Sequence, residues 1–275
     1  MDDEAGRFLT VEGHRIRVAV RGSGSPLLLI NGLGGNLEGW APLTRAIRGR
    51  ELIVYDAPGT GRSPTPWRPL SIAAHARIAR GILDALGHER VDVLGLSFGG
   101  GVAQTMAHRH PHRVRSLILA ATGCGLGGVP GNPLALAVLA TPLRYHSPSH
   151  YRVVAPILFG GRSRRRGDRL DEYIAARTSL PPSVRGYFWQ LWALAGWSSL
   201  LWLHRVRQPT LILAGDDDPL IPLRNARLMT RLIPRARLHV IHGGGHLFLL
   251  ESPTECARLI DRFLSDAVPA TATAT

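Results

Sequence analysis

The chain contains no lysine: all 33 of its basic residues are arginine. Against 20 acidic residues they leave a formal net charge of +13. Such a balance would suit a nucleic-acid binder, but the arginines are scattered over many segments and no nucleic-acid motif accompanies them. The missing lysine points to a coding bias toward arginine, and attraction to an anionic surface is the better reading of the charge. Cysteine is scarce as well. Cys124 and Cys256 exclude a disulfide framework and fit a reducing compartment. No apolar segment reaches membrane-spanning length without interruption. The acidic start, Met1-Asp2-Asp3-Glu4, leads into no apolar run, so no secretory signal is expected. The expectation is a soluble, cytoplasmic protein. No cysteine/histidine spacing of the metal-ligand type occurs. Gly-x-Gly-x-x-Gly with an acidic ribose partner does not follow the first parallel strand. Neither a metal nor a cofactor is expected, and there is no internal repeat.

What is present is apolar: 45% of 275 residues are hydrophobic, enough for one large core. Phe8–Val11 and Ile16–Val20 read as a hairpin around Glu12-Gly13-His14. Leu27–Ile30, Leu52–Tyr55, Val91–Leu96, Val114–Leu119, Pro209–Ala214 and Leu238–Ile241 are short apolar runs, as in strands buried on both faces. Helical spacing lies between them, at Leu37–Ile47, from Ser71 to Leu86 with Gly87 as the stop, and at Pro253–Leu264. Strand–helix alternation predicts a mostly parallel sheet covered on both faces, with its site at the carboxyl ends of the strands. From Gly125 to Arg207 the alternation fails. That segment reads as an inserted helical cap with a tryptophan-rich stretch at 187–202 and an arginine run at 162–166, the latter expected as a solvated loop. The division is 1–124 and 208–266 for the core, 125–207 for the cap and 267–275 for a disordered tail.

The chemistry centres on Gly95-Leu96-Ser97-Phe98-Gly99, between a strand and a helix pattern. A serine on such a turn is strained and exposed, and the helix start offers free N–H groups to negative charge. A serine hydroxyl needs a base, and the base needs a carboxylate to fix its tautomer. In the order Ser, Asp, His, the candidates are Ser97, Asp218 and His246. Asp218 is chosen from Asp216-Asp217-Asp218 because the third residue beyond the turn at Gly215 has room to point back; Asp216 is next. His246 follows Gly243-Gly244-Gly245, with His242 as rival. Oxyanion donors are expected from the backbone N–H groups of Leu33, in the loop Asn31-Gly32-Leu33-Gly34, and of Phe98. Asn31, Trp189 and Trp192 are candidate substrate contacts.

These residues, with Asp56-Ala57-Pro58-Gly59-Thr60-Gly61-Arg62-Ser63 and Glu251 and Pro253 after the histidine, resemble the α/β-hydrolase superfamily over Phe8 to Leu264. The resemblance implies an eight-stranded, mostly parallel sheet flanked by helices, with an inserted helical cap. Trp189-Gln190-Leu191, Gly196-Trp197-Ser198-Ser199, Trp202-Leu203-His204, Leu213 to Pro222, and Gly245-His246-Leu247-Phe248-Leu249 look like the intracellular medium-chain poly(3-hydroxyalkanoate) depolymerases, as does Asn31-Gly32. The loop His242 to His246 is one residue longer and richer in glycine than that pattern. The likeness implies hydrolysis of a storage polyester at a granule surface, with Ser97 as nucleophile, His246 as base and acid, and Asp218 as orienting carboxylate. Expected partners are an apolar polyester or ester and the granule surface, without nucleic acid or a transmembrane segment. An esterase, lipase or lactonase for small apolar esters is the nearest alternative. A noncatalytic small-molecule binder is the alternative of another class. Haloalkane dehalogenase or epoxide hydrolase chemistry would want aspartate at position 97, and a polyester synthase cysteine.

Overall fold

Short runs of leucine, isoleucine and valine become strands because both their faces can be covered. The computed structural model describes residues 6–165 and 168–267. The tail expected at 267–275 lies, beyond Ala267, outside the described residues. Eight strands form one sheet: β1 (Arg7–Val11), β2 (His14–Arg21), β3 (Ser25–Ile30), β4 (Arg50–Tyr55), β5 (Val91–Leu96), β6 (Val114–Ala120), β7 (Thr210–Gly215) and β8 (Ala236–Ile241). Their order is β1-β2-β4-β3-β5-β6-β7-β8. β1 and β2 pair antiparallel and β2 joins β4 antiparallel; every other pairing is parallel. β5 and β7 are buried at every position, which is why their sequences do not alternate.

Helices α1 (Ala41–Ala46), α2 (Ile72–Ala85) and α3 (Phe98–Arg109) precede β6. Four more, α4 (Pro133–Leu139), α5 (Pro148–Phe159), α6 (Asp168–Ser179) and α7 (Val184–Leu194), lie between β6 and β7 and form the cap. Then come α8 (Leu223–Leu232), α9 (Phe248–Glu251) and α10 (Pro253–Ala267). Ser71 caps α2 by accepting from the Ala74 N–H, as its position suggested. The helix expected over Leu37–Ile47 is instead a 3-10 turn, Leu37–Trp40, followed by α1. The Asn36 side chain caps the turn at the Gly39 N–H, and Pro42 fits only the opening of the next helix, where no donor is needed.

Two features fix what stands around the site. Arg17 and Asp56, both buried, join β2 to the end of β4, and Asp56 also accepts from the N–H groups of Leu37 and Arg62. Arg17→Met strands that carboxylate and is expected to cost about 3–5 kcal/mol, read as a lower denaturant midpoint. The cap is seated on α3: Trp197 donates to Thr105, Ser199 to Gln104, and Trp202 stacks on His108. The arginine run, expected as a solvated loop, keeps Arg162 and Arg164 exposed but is built into a turn as far as Arg165, Arg166 lying outside the described residues. Gly161–Arg165 winds into a 3-10 turn in which Ser163 is buried against Glu251, Arg162 donates to Ser252 and Arg164 pairs with Asp217. It is ordered because acceptors from two core loops meet it.

Candidate active site

β5 runs straight into α3, and the turn between them leaves Ser97 at φ 53° and ψ −114°. This left-handed region is costly for a residue with a side chain. The neighbouring backbone leaves no room for a Cβ at Gly95 or Gly99: one would strike the Gly99 carbonyl, the other that of Ile30. The strained peptide is pinned by the Ser97 N–H on the Ala120 carbonyl and by Thr122, whose hydroxyl donates to the Ser97 carbonyl.

His246 Nε2 lies 3.0 Å from Ser97 Oγ, and His246 Nδ1 lies 2.7 Å from Asp218 Oδ2. His246 and Asp218 are buried and Ser97 is half-buried. Asp218 Oδ1 accepts from the Leu220 and Ile221 N–H groups at 2.8 and 2.9 Å, so only Oδ2 faces the imidazole. Its neighbours are engaged elsewhere. Asp216 pairs with His242 at the surface, and Asp217 accepts from the Gly161 N–H and Arg164. The cap also holds the histidine loop. The His246 N–H donates to the Phe159 carbonyl at the end of α5, and the Phe159 ring lies parallel to the imidazole. Gly161 and Gly245 touch backbone to backbone across this seam, so neither can carry a side chain.

The Asn31–Gly35 loop follows β3 and passes close to Ser97. The Leu33 and Phe98 N–H groups have no acceptor among the described residues; that of Phe98 opens a helix, where no internal partner exists. Asn31 lines the pocket and donates to the Asn36 carbonyl, bracing the loop. Behind Phe98, His75 packs edge-on, and burial pushes it down to about 4, so it is a neutral wall. The Leu33–Gly34 peptide is gripped on both sides by the cap. Its carbonyl accepts from Tyr145 and Arg177, at 2.8 and 3.0 Å, and its N–H donates to Gln190 at 2.8 Å. Burial alone would raise the Tyr145 phenol, but the Arg144 and Arg177 guanidiniums beside it hold it below its ordinary value. A pocket with about 40 Å³ of internal space, room for a few waters, opens on Ser97.

Trp189 and Trp192 do not line it. On α7 the positions turned inward are Tyr187, Gln190 and Ala193; Trp192 is exposed and Trp189 carries Arg185 over its ring. A three-residue step selects the inner face, and both tryptophans fall off it. Their place in the pocket is taken by Arg144, Tyr145, Phe159 and Arg177, which the sequence reading missed. Only Gln190 had a local signal, in the quoted Trp189-Gln190-Leu191.

A serine elbow, a histidine and an aspartate at one rim of a doubly covered sheet define an α/β hydrolase, and the chain belongs to the α/β-hydrolase fold family, which it matches over residues 25–142 and 174–253. Among its relatives, the poly(3-hydroxyalkanoate) depolymerase of Ectopseudomonas oleovorans is 43% identical over 262 residues, 94% of this chain and 92% of that protein. A 2-hydroxymuconate semialdehyde hydrolase of Pseudomonas putida is 32% identical over 96% of this chain and 95% of its own. The meta-cleavage product hydrolase of Pseudomonas fluorescens IP01 superposes with a TM-score of 0.80 at 27% identity, covering 96% of this chain and 98% of that one. The chain is thus similar to hydrolases throughout its length.

Proposed function

We propose that this protein is a serine ester hydrolase that cleaves poly(3-hydroxyalkanoate) or its oligomers. The observation that carries the reading is the continuous Asp218–His246–Ser97 contact, at 2.7 and 3.0 Å, beside two uncommitted backbone N–H groups. His246 takes the hydroxyl proton as Ser97 Oγ attacks the ester carbonyl, and Asp218 steadies the imidazolium. Leu33 and Phe98 N–H receive the oxyanion. The alcohol leaves with the proton from His246, and water then releases the acyl group by the same route. Residues 125–207 serve as the cap that selects substrate, over a core of 1–124 and 208–266.

The polyester is supported by the 43% identity to the depolymerase, which extends through the cap. It is also supported by the cap's outer surface. Among the described residues, every large exposed apolar side chain apart from Phe8 and Trp67 falls between Leu126 and Leu201. Such a face suits adhesion to a greasy granule in the cytoplasm, with arginines adding attraction to an anionic coat. No helix among the described residues is long and apolar enough to cross a membrane.

The test is release of 3-hydroxy acids from native granules, set beside hydrolysis of simple fatty esters. Turnover of simple esters with granules and soluble oligomers untouched would replace the polyester reading by a carboxylesterase or lactonase. Failure of Ser97 to label with a fluorophosphonate would favour a noncatalytic binder. In granule sedimentation, about 1 M salt, where screening acts within ~3 Å, is expected to release part of the bound protein. Unchanged binding would assign adhesion to the apolar face alone. Gln190→Met removes the acceptor of the Gly34 N–H at similar volume. An unpaired buried donor costs about 1–3 kcal/mol, and kcat is expected to fall about tenfold with KM little changed, as steady-state kinetics will show.

A further inference from the structure

Three arginines are buried among the described residues, and of these only Arg17 is paired with carboxylates. Arg17 has Glu38 and Asp56, and the nearly buried Arg50 has Asp92 and Asp261. Arg144 and Arg177 are as inaccessible as Arg17, at 2% and 5% exposure, yet their hydrogen-bond partners are carbonyl and phenol oxygens and none is a carboxylate. Arg144 donates to the Thr141 carbonyl and to the Tyr145 and Tyr187 hydroxyls; Arg177 donates to the Leu33 carbonyl and the Tyr145 hydroxyl. The two guanidiniums therefore share one phenol oxygen, and like charges so placed repel. Their Nε atoms have no acceptor at all, nor does Nε1 of Trp40. All three residues line the pocket that opens on Ser97. Every orphaned polar atom on that lining is a donor. A buried cation without a counter-charge is costly, and the group that would satisfy three donors and two cations is an anionic acceptor.

We propose that Arg144 and Arg177, with Trp40, form a carboxylate subsite that receives the free carboxyl end of the polyester chain, so that the enzyme removes units from that end. The proposal rests on the polyester reading above and names which part of the chain the site holds. The terminal carboxylate belongs to the alcohol side of the last ester bond. Ser97 Oγ bonds to that ester's carbonyl carbon and the C–O bond breaks. The departing oxygen takes the proton from His246, and a 3-hydroxyalkanoate anion leaves. Water then hydrolyses the acyl-enzyme, giving Ser97 back its proton and leaving the shortened chain with a new carboxylate. Each cycle thus regenerates the group that the two arginines recognise.

The experiment compares kcat/KM for a 3-hydroxyoctanoate dimer with a free carboxyl group and for its methyl ester, in the wild type and in Arg144→Met. The ratio within each protein cancels losses common to both substrates. A preference of at least tenfold for the free acid is expected in the wild type, collapsing toward unity in the variant. A second pair, 4-nitrophenyl hydrogen adipate against 4-nitrophenyl hexanoate, puts the carboxylate on the acyl side. A wild-type dimer ratio near unity overturns the proposal, as does a ratio that survives in both Arg144→Met and Arg177→Met. An Arg144-dependent preference confined to the adipate overturns the chain-end assignment. If neither arginine variant folds, Trp40→Phe removes one orphaned donor, and the ratio is expected to fall severalfold; an unchanged ratio counts against the subsite. Inert dimers and granules together with active 4-nitrophenyl esters would instead sink the polyester reading, a result distinct from a flat ratio.

Discussion

Ser97→Ala is expected to lower hydrolysis of a 4-nitrophenyl alkanoate by about 10⁵–10⁶-fold, the loss that follows when a triad nucleophile is removed. The fold should be unaffected. Alanine keeps the Cβ that already tolerates the φ of 53° at this position, and the backbone bonds to Ala120 and Thr122 do not involve the hydroxyl. Thermal melts of the two proteins should therefore superpose while the activity vanishes. Turnover retained within tenfold of the wild type would remove Ser97 from the mechanism and leave the Asp218–His246 pair without a task.

Asp218→Asn should cost about 10⁴-fold in kcat, for a reason that the local hydrogen bonds make specific. The Leu220 and Ile221 N–H groups both point at Oδ1, so an asparagine must keep its oxygen there and turn its amide nitrogen toward His246. That nitrogen donates, so Nδ1 must accept. The ring proton moves to Nε2, which can then no longer take one from Ser97. Asp216→Asn is the control. Asp216 serves His242, whose side chain is 88% exposed, and its loss is expected to change kcat by less than about threefold. If the control is the damaging variant, the choice of carboxylate fails.

The sheet was legible because short apolar runs closed off by turn residues leave little choice but buried strands, as in β7, where Leu211–Ala214 lies between Pro209 and Gly215. The contact of Ser97, His246 and Asp218 was legible because the three residues follow strand ends in the order serine, aspartate, histidine. The cap was legible only as an interruption. Trp189 and Trp192 drew attention as large aromatic residues, yet their place on α7 turns them away from the pocket. Arg144 and Arg177 sit in unremarkable stretches, and an arginine's sequence neighbours do not say whether it will be buried without a counter-ion. The contacts of Arg162, Ser163 and Arg164 are made with Ser252, Glu251 and Asp217, acceptors distant in the chain. Such facts belong to tertiary packing, which no local pattern encodes.

The grip of Tyr145, Arg177 and Gln190 on the Leu33–Gly34 peptide has a consequence for timing. On the polyester reading, a pocket with about 40 Å³ of internal space would take an ester chain only with the cap displaced. Such a displacement would release the Leu33–Gly34 peptide, beside a proposed oxyanion donor, from Tyr145, Arg177 and Gln190. An ester meeting the site in that state would find Ser97 without this support, and reactivity would return as the cap closed over a substrate that fits.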